Sequence, residues 1–220
     1  MVWSVQTDLE VQLAVIEVKD VHVTNEKTAF ERLKECAASY SSEHQGKSVG
    51  SVAEIQAARR LFRAIGIDPT RRRPSSEALL HRALKGKPFH SVNSLVDVGN
   101  WCSLDFLLPV CVYDHDKIVG GVTIRRGKDE ESYIGLNNRT VNLHHRYVIS
   151  DEKGAFGSPI TDSLRTAVDE QTKRAILVIF APVDYDSQLL RSRADIFTKR
   201  TIDICGGHLV GVQILGNRKV

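Results

Sequence analysis

Ser94-Leu-Val-Asp-Val-Gly-Asn-Trp-Cys-Ser-Leu-Asp-Phe-Leu-Leu-Pro-Val-Cys-Val-Tyr-Asp-His-Asp116 reads as a helix that runs straight into a buried strand. Ser94 and Asp97 have capping-box spacing, which places a helix start at Ser94. Leu95, Val98, Cys102 and Phe106 recur at intervals of three and four, giving one apolar helical face. Pro109 cannot continue that helix, because it lacks the backbone donor and its ring clashes with the preceding turn. Val110-Cys-Val-Tyr113 is then a short β-rich run, and Asp114-His-Asp-Lys117 is a turn. Asn100 is a polar residue inside this apolar helix. A buried amide left unbonded costs about 1–3 kcal/mol, so a buried Asn100 must hold either backbone or a ligand.

Upstream, Val11 to Val18 is an apolar, β-branched run and reads as a buried strand. A helix is expected over 26–40, capped by Asn25, with Phe30, Leu33, Ala37 and Tyr40 on one face. Ser51 and Glu54 form a second capping box, followed by the apolar face Ile55, Ala58, Phe62 and Ile65 and a terminating Gly66. Asp68 to Arg73 reads as an extended loop. Pro74-Ser-Ser-Glu77 then starts a helix capped by Ser75 or Ser76, with Leu79, Leu80, Ala83 and Leu84 inward.

Downstream the chain turns to strands. Lys117–Arg126 carries a Gly-Gly pair that fits a bulge, and 132–136, 140–143 and 146–149 are short strands joined by turns. Such a meander is antiparallel and forms a sandwich or a partial barrel. Ala155 to Thr166 is irregular. It is either plain loop or a pocket lining in which Gly157 and Ser158 offer backbone N–H groups. Ala175-Ile-Leu-Val-Ile-Phe-Ala-Pro182, which includes Val178, is continuously apolar and hence a central strand. Ser187 caps a last helix with Leu190, Ala194 and Phe197 inward, and 208–215 is a closing strand.

The 220 residues are 42% hydrophobic and 26% charged, the composition of an ordinary globular chain. No apolar run approaches a membrane span, and the N-terminus does not read as a signal peptide. The four cysteines are widely spaced, so neither a disulfide framework nor a zinc site is expected, and a reducing cytoplasm fits. No metal or other cofactor is expected. The net charge of +3 hides an asymmetry. Residues 59–87 hold nine Lys or Arg, among them Arg59, Arg60, Arg63, Arg71, Arg72, Arg73 and Arg82, against two acids. That segment reads either as the footprint of a polyanion or as a solvated helical face.

The usual catalytic motifs are missing: no phosphate-binding glycine loop, no His-Glu-x-x-His, no Gly-x-Ser-x-Gly. Cys111 reads either as a nucleophilic thiol at a pocket edge or as a small buried apolar residue. His144 and His145, if in a strand, point to opposite faces and do not make a paired metal site; they read rather as loop or edge residues.

Leu95-Val-Asp-Val-Gly-Asn-Trp, followed by Leu108-Pro-Val-Cys-Val-Tyr-Asp-His-Asp-Lys-Ile118, resembles the tRNA-editing B3/B4 domain of the bacterial phenylalanyl-tRNA synthetase beta subunit. The run Asp68-Pro-Thr … Arg-Pro-Ser-Ser-Glu-Ala-Leu79 is similar to stand-alone members of that family. The resemblance is strongest over 60–182. It implies an α+β fold, a three-layer β/β/α sandwich forming a single domain over 1–220, and tRNA or aminoacyl-tRNA as partner. Within the resemblance, Asn100 matches an asparagine that contacts the ester. Gly99 stands where a threonine would be, and Cys111 where a histidine would be. The strand 176–182 has no counterpart of the glutamate that recognises the tyrosine hydroxyl, so tyrosine selectivity is not carried over. The chain is also too short for an aminoacylation domain. Three readings follow: a trans-acting deacylase of misacylated tRNA using Asn100, with Gly157 near the oxyanion; a non-catalytic tRNA-binding module; or a small-metabolite or amino-acid binder using Cys111.

Overall fold

The structure, a computed structural model, describes residues 1–216; the last four residues of the expected domain lie outside the described residues. Two four-stranded sheets carry the architecture. The first has the order β10 (His208–Gly216), β2 (Val11–Lys19), β9 (Arg174–Pro182), β3 (Val110–Asp114) and is antiparallel throughout. The second has the order β1 (Trp3–Val5), β4 (Val122–Arg126), β7 (Tyr147–Asp151), β8 (Gly154–Gly157). A separate ribbon pairs β5 (Ser132–Ile134) with β6 (Thr140–Asn142).

Side-chain alternation along β2 and β9 explains the layers. Leu13, Val15, Ile176, Val178 and Phe180 face the second sheet and meet Ile124, Ile149 and Phe156 there. Ala14, Ile16, Val18, Leu177, Ile179 and Ala181 face the other way, onto helices α4 (Ser94–Phe106) and α5 (Ser187–Cys205). Both faces are dry, which is why these strands read as continuous apolar runs. The result is the expected mixed α+β, β/β/α arrangement. Helices α1 (Thr28–Glu43) and α3 (Ser75–Leu84) pack outside α4 through Leu33, Ala37, Leu80, Ala83 and Leu104. Helix α2 (Ile55–Ala64) adds Leu61 and Phe62 to the core between the sheets.

Several local expectations are corrected. Asn93, not Ser94, caps α4 by accepting from the Val96 amide; Ser94 instead accepts from the Thr24 amide across the chain. Asp186, not Ser187, caps α5, because the Ser187 hydroxyl is engaged by Gln12. Helices α1, α2 and α3 have no side-chain cap: Asn25 bonds Glu170, Ser51 donates to the Ser48 carbonyl, and the Ser76 hydroxyl is buried unbonded. Strand β1 runs parallel to β4, so the second sheet is not wholly antiparallel. Strand β8 overlaps the start of the stretch read as irregular. No helix among the described residues is long and apolar enough to cross a membrane.

Candidate functional site

Strand β3 is the edge of its sheet, and α4 crosses it closely because Gly99 has no side chain. A Cβ there would stand 3.2 Å from Val112 Cγ1. This approach sets the next residue, Asn100, at the lip of a cleft of about 420 Å³ between α4, β3 and the segment 162–168. The walls are apolar, from Val96, Val110, Val112 and Val168, with exposed Val92 and Leu136 also lining it. Asn100 is half-buried, and its amide makes no hydrogen bond among the described residues. It is therefore free to bond a ligand rather than backbone.

The carboxylate of the cleft is Asp162. Its carboxylate accepts a 2.5 Å hydrogen bond from the Tyr113 hydroxyl. Burial of the carboxyl raises its pKa to about 7, and the hydrogen bond from Tyr113 holds it from rising further. A carboxyl so poised exchanges its proton near neutral pH. Burial pushes the Cys111 thiol well up, and the Asp162 charge adds to that push. The thiol donates to the Ser158 carbonyl at 3.6 Å. A thiol held protonated is a poor nucleophile, and Cys111 also packs in the core between the sheets.

Gly99, Asn100 and Cys111 are thus brought together, whereas Gly157, Ser158 and Val178 stand outside the cleft. Gly157 makes room for Tyr113, whose hydroxyl a Cβ would overlap. The Ser158 hydroxyl donates to the Thr161 carbonyl at 2.8 Å and accepts from the Tyr133 hydroxyl, bracing the turn before Asp162. Val178 points between the sheets, opposite Cys111 in register. No local sequence signal points to Asp162. Strand β9 carries no acid, and the acid of the cleft comes instead from Asp162.

The arginines divide by partner. Arg59 forms a bidentate pair with buried Glu77, at 2.6 and 2.9 Å, and Arg60 pairs with Asp184 at 3.0 Å. Arg71 lies 3.8 Å from Asp68, and Arg82 donates to the Pro88 carbonyl. Arg63, Arg72 and Arg73 are exposed and have no ion pair among the described residues. Desolvation and the neighbouring Arg146 charge lower the Arg72 pKa, and Arg72 is also within electrostatic reach of Tyr133. Tyr133 bonds the Thr161 carbonyl, so this cationic pair stands beside the loop that carries Asp162. The His81 pKa falls through desolvation and then through Arg73, Lys87 and Lys85, cations that flank the two ends of α3.

A larger groove of about 1050 Å³ runs along α1, α4 and α5. Its charges are largely paired internally, Arg200 with Asp105 at 2.6 Å and Arg32 with Glu35 at 2.8 Å. His115 engages Glu17 and Asp116. His144 and His145 lie at the end of β6 in a turn, and their rings meet at 3.8 Å rather than pointing apart.

A family model described as the B3/4 domain matches residues 57–205. The phenylalanine–tRNA ligase beta subunit of Bartonella quintana is 40% identical over 88 residues, covering 39% of this chain and 11% of that protein. That of Bartonella henselae is 28% identical over 167 residues, covering 64% of this chain and 21% of that protein. The match therefore spans at most about a fifth of the length of these two relatives. Among solved structures, an N-terminal fragment of the phenylalanyl-tRNA synthetase beta-subunit from Pyrococcus horikoshii aligns at a TM-score of 0.46 and 11% identity. It covers 99% of this chain and 54% of that one.

Proposed function

Because this chain belongs to the B3/4 domain family, we propose that its cleft binds the aminoacyl end of a charged tRNA and hydrolyses the ester. The observation that carries the proposal is the pairing, in one cleft, of an unpartnered Asn100 amide with a carboxyl whose pKa is about 7. An amide donor aimed at a carbonyl stabilises the oxyanion that forms as the ester is attacked. Ionised Asp162 takes a proton from a water molecule, the water oxygen bonds to the ester carbon, and the bond to the terminal ribose oxygen breaks. The proton then passes from Asp162 to that leaving oxygen. The step needs no thiolate, in keeping with the buried Cys111.

The valine-rich walls favour an aliphatic side chain over a phenol. Exposed Arg72 and Arg73, with Lys85 and Lys87, offer phosphate contacts. Hydrolysis of a panel of correctly and wrongly charged tRNAs tests the proposal: one amino acid should be released above the spontaneous rate. A second reading, a tRNA-binding module without hydrolysis, is favoured by the lack of a reactive group at Cys111. It predicts salt-sensitive tRNA retardation with no release across the same panel.

A further inference from the structure

The turn between β4 and β5 and the turn after β6 bring together three metal-ligating side chains. The Asp129 carboxylate lies 3.0 Å from His144 Nδ1, and the His144 and His145 rings meet at 3.8 Å between centroids with a 53° tilt. One donor atom from each of the three residues falls within 4.8 Å of the others. All three side chains are exposed, so an ion could enter from solvent.

The two turns are pinned to each other. The Gly127 amide donates to the Arg146 carbonyl at 2.7 Å, and the His145 amide donates back to the Gly127 carbonyl at 3.2 Å. Gly127 packs against the Leu143 carbonyl so closely that a Cβ would overlap it. Glu131, two residues from Asp129, is clamped bidentate by Arg125 at 2.6 and 2.8 Å and accepts from the Lys128 amide. His145 takes a left-handed backbone, φ +56°, which is uncommon outside glycine. Backbone bonds thus fix the two ligand-bearing turns relative to each other, which lowers the ordering cost of binding.

We propose that Asp129, His144 and His145 form a surface site for one divalent ion of the zinc class. Two imidazoles and a carboxylate suit zinc, cobalt or nickel better than calcium or magnesium, which prefer all-oxygen ligands. Three protein ligands leave positions for water or an external oxygen ligand. The site is independent of the cleft chemistry, which needs no metal.

Calorimetric titration of the full chain with zinc chloride, together with the visible spectrum of the cobalt(II) form, tests this. One ion per chain should bind with a Kd on the order of micromolar. His145→Asn keeps a residue that tolerates the left-handed backbone while removing the imidazole. It and Asp129→Asn should each weaken binding by about tenfold or more and abolish the cobalt bands. His208→Ala, at an exposed His–Asp pair with Asp20 at 3.5 Å but no second imidazole, should change nothing. Absence of a stoichiometric ion, or unchanged affinity in His145→Asn and Asp129→Asn, would overturn the site.

Discussion

The Tyr113 hydroxyl donates a 2.5 Å hydrogen bond to Asp162, joining the buried face of β3 to the segment that closes the cleft. Forty-nine residues separate the two. Burial raises the Asp162 pKa, and this hydrogen bond holds the rise in check, in a residue with no local signal of either.

A carboxyl whose folded pKa lies above its unfolded value stabilises the fold while protonated. Here that contribution is whole below about 3.8 and is lost as pH rises through about 7. The Asp162 charge should therefore cost roughly 1–4 kcal/mol at pH 8. Asp162→Asn should flatten the fall in stability between pH 5.5 and 8, measured by urea denaturation. An equal fall in both proteins would contradict the raised pKa.

Gly157 is a steric requirement of the same contact. Gly157→Ala forces a methyl group into the Tyr113 hydroxyl and should destabilise by about 1–3 kcal/mol. Tyr113→Phe in the same chain should recover part of that stability. Additive effects of the two substitutions in thermal unfolding would argue against direct contact.

The arginines should separate by experiment as they do by partner. Arg59→Ala strands the buried Glu77 carboxylate and should cost about 3–5 kcal/mol in stability. Replacing Arg71, Arg72 and Arg73 together by Gln should leave stability nearly unchanged. It should instead lower the slope of log affinity for tRNA against log salt by about 0.7–0.9 for each phosphate no longer neutralised. An unaltered slope would remove this loop from the tRNA surface.

None of the four cysteines should behave as a reactive thiol. Burial, then the Asp105 charge, raises Cys36 to about 12; burial also raises Cys102 to about 12 and pushes Cys111 and Cys205 up. At pH 8 a thiol with a pKa of 12 is thiolate in about one part in ten thousand. Alkylation of the folded chain should be slow until denaturant is added, and rapid modification of Cys111 would revive a thiol mechanism.

The layers are legible in the sequence because β2, β9 and α4 bury whole faces, and such burial writes itself into residue periodicity. The caps are less so. Where two polar residues adjoin, as in Asn93-Ser94 and Asp186-Ser187, the cap falls to the one not drawn off by a distant partner, here Thr24 or Gln12. Short β1 and small-residue β8 carry too little pattern to read. Asn100, Gly99 and Cys111 are legible as a cluster because helix and strand adjoin in sequence. Asp162, the split among the arginines and the meeting of His144 with His145 all depend on tertiary packing or turn geometry that no local pattern encodes.

The most direct test of the central claim is amino-acid release from charged tRNA by the wild type and Asn100→Ala between pH 5.5 and 8.5. The account predicts a wild-type rate that climbs through about pH 7. It also predicts a fall of about a hundredfold or more when the Asn100 donor is removed. Release at an unchanged rate in Asn100→Ala, or no release from any charged tRNA, would contradict it.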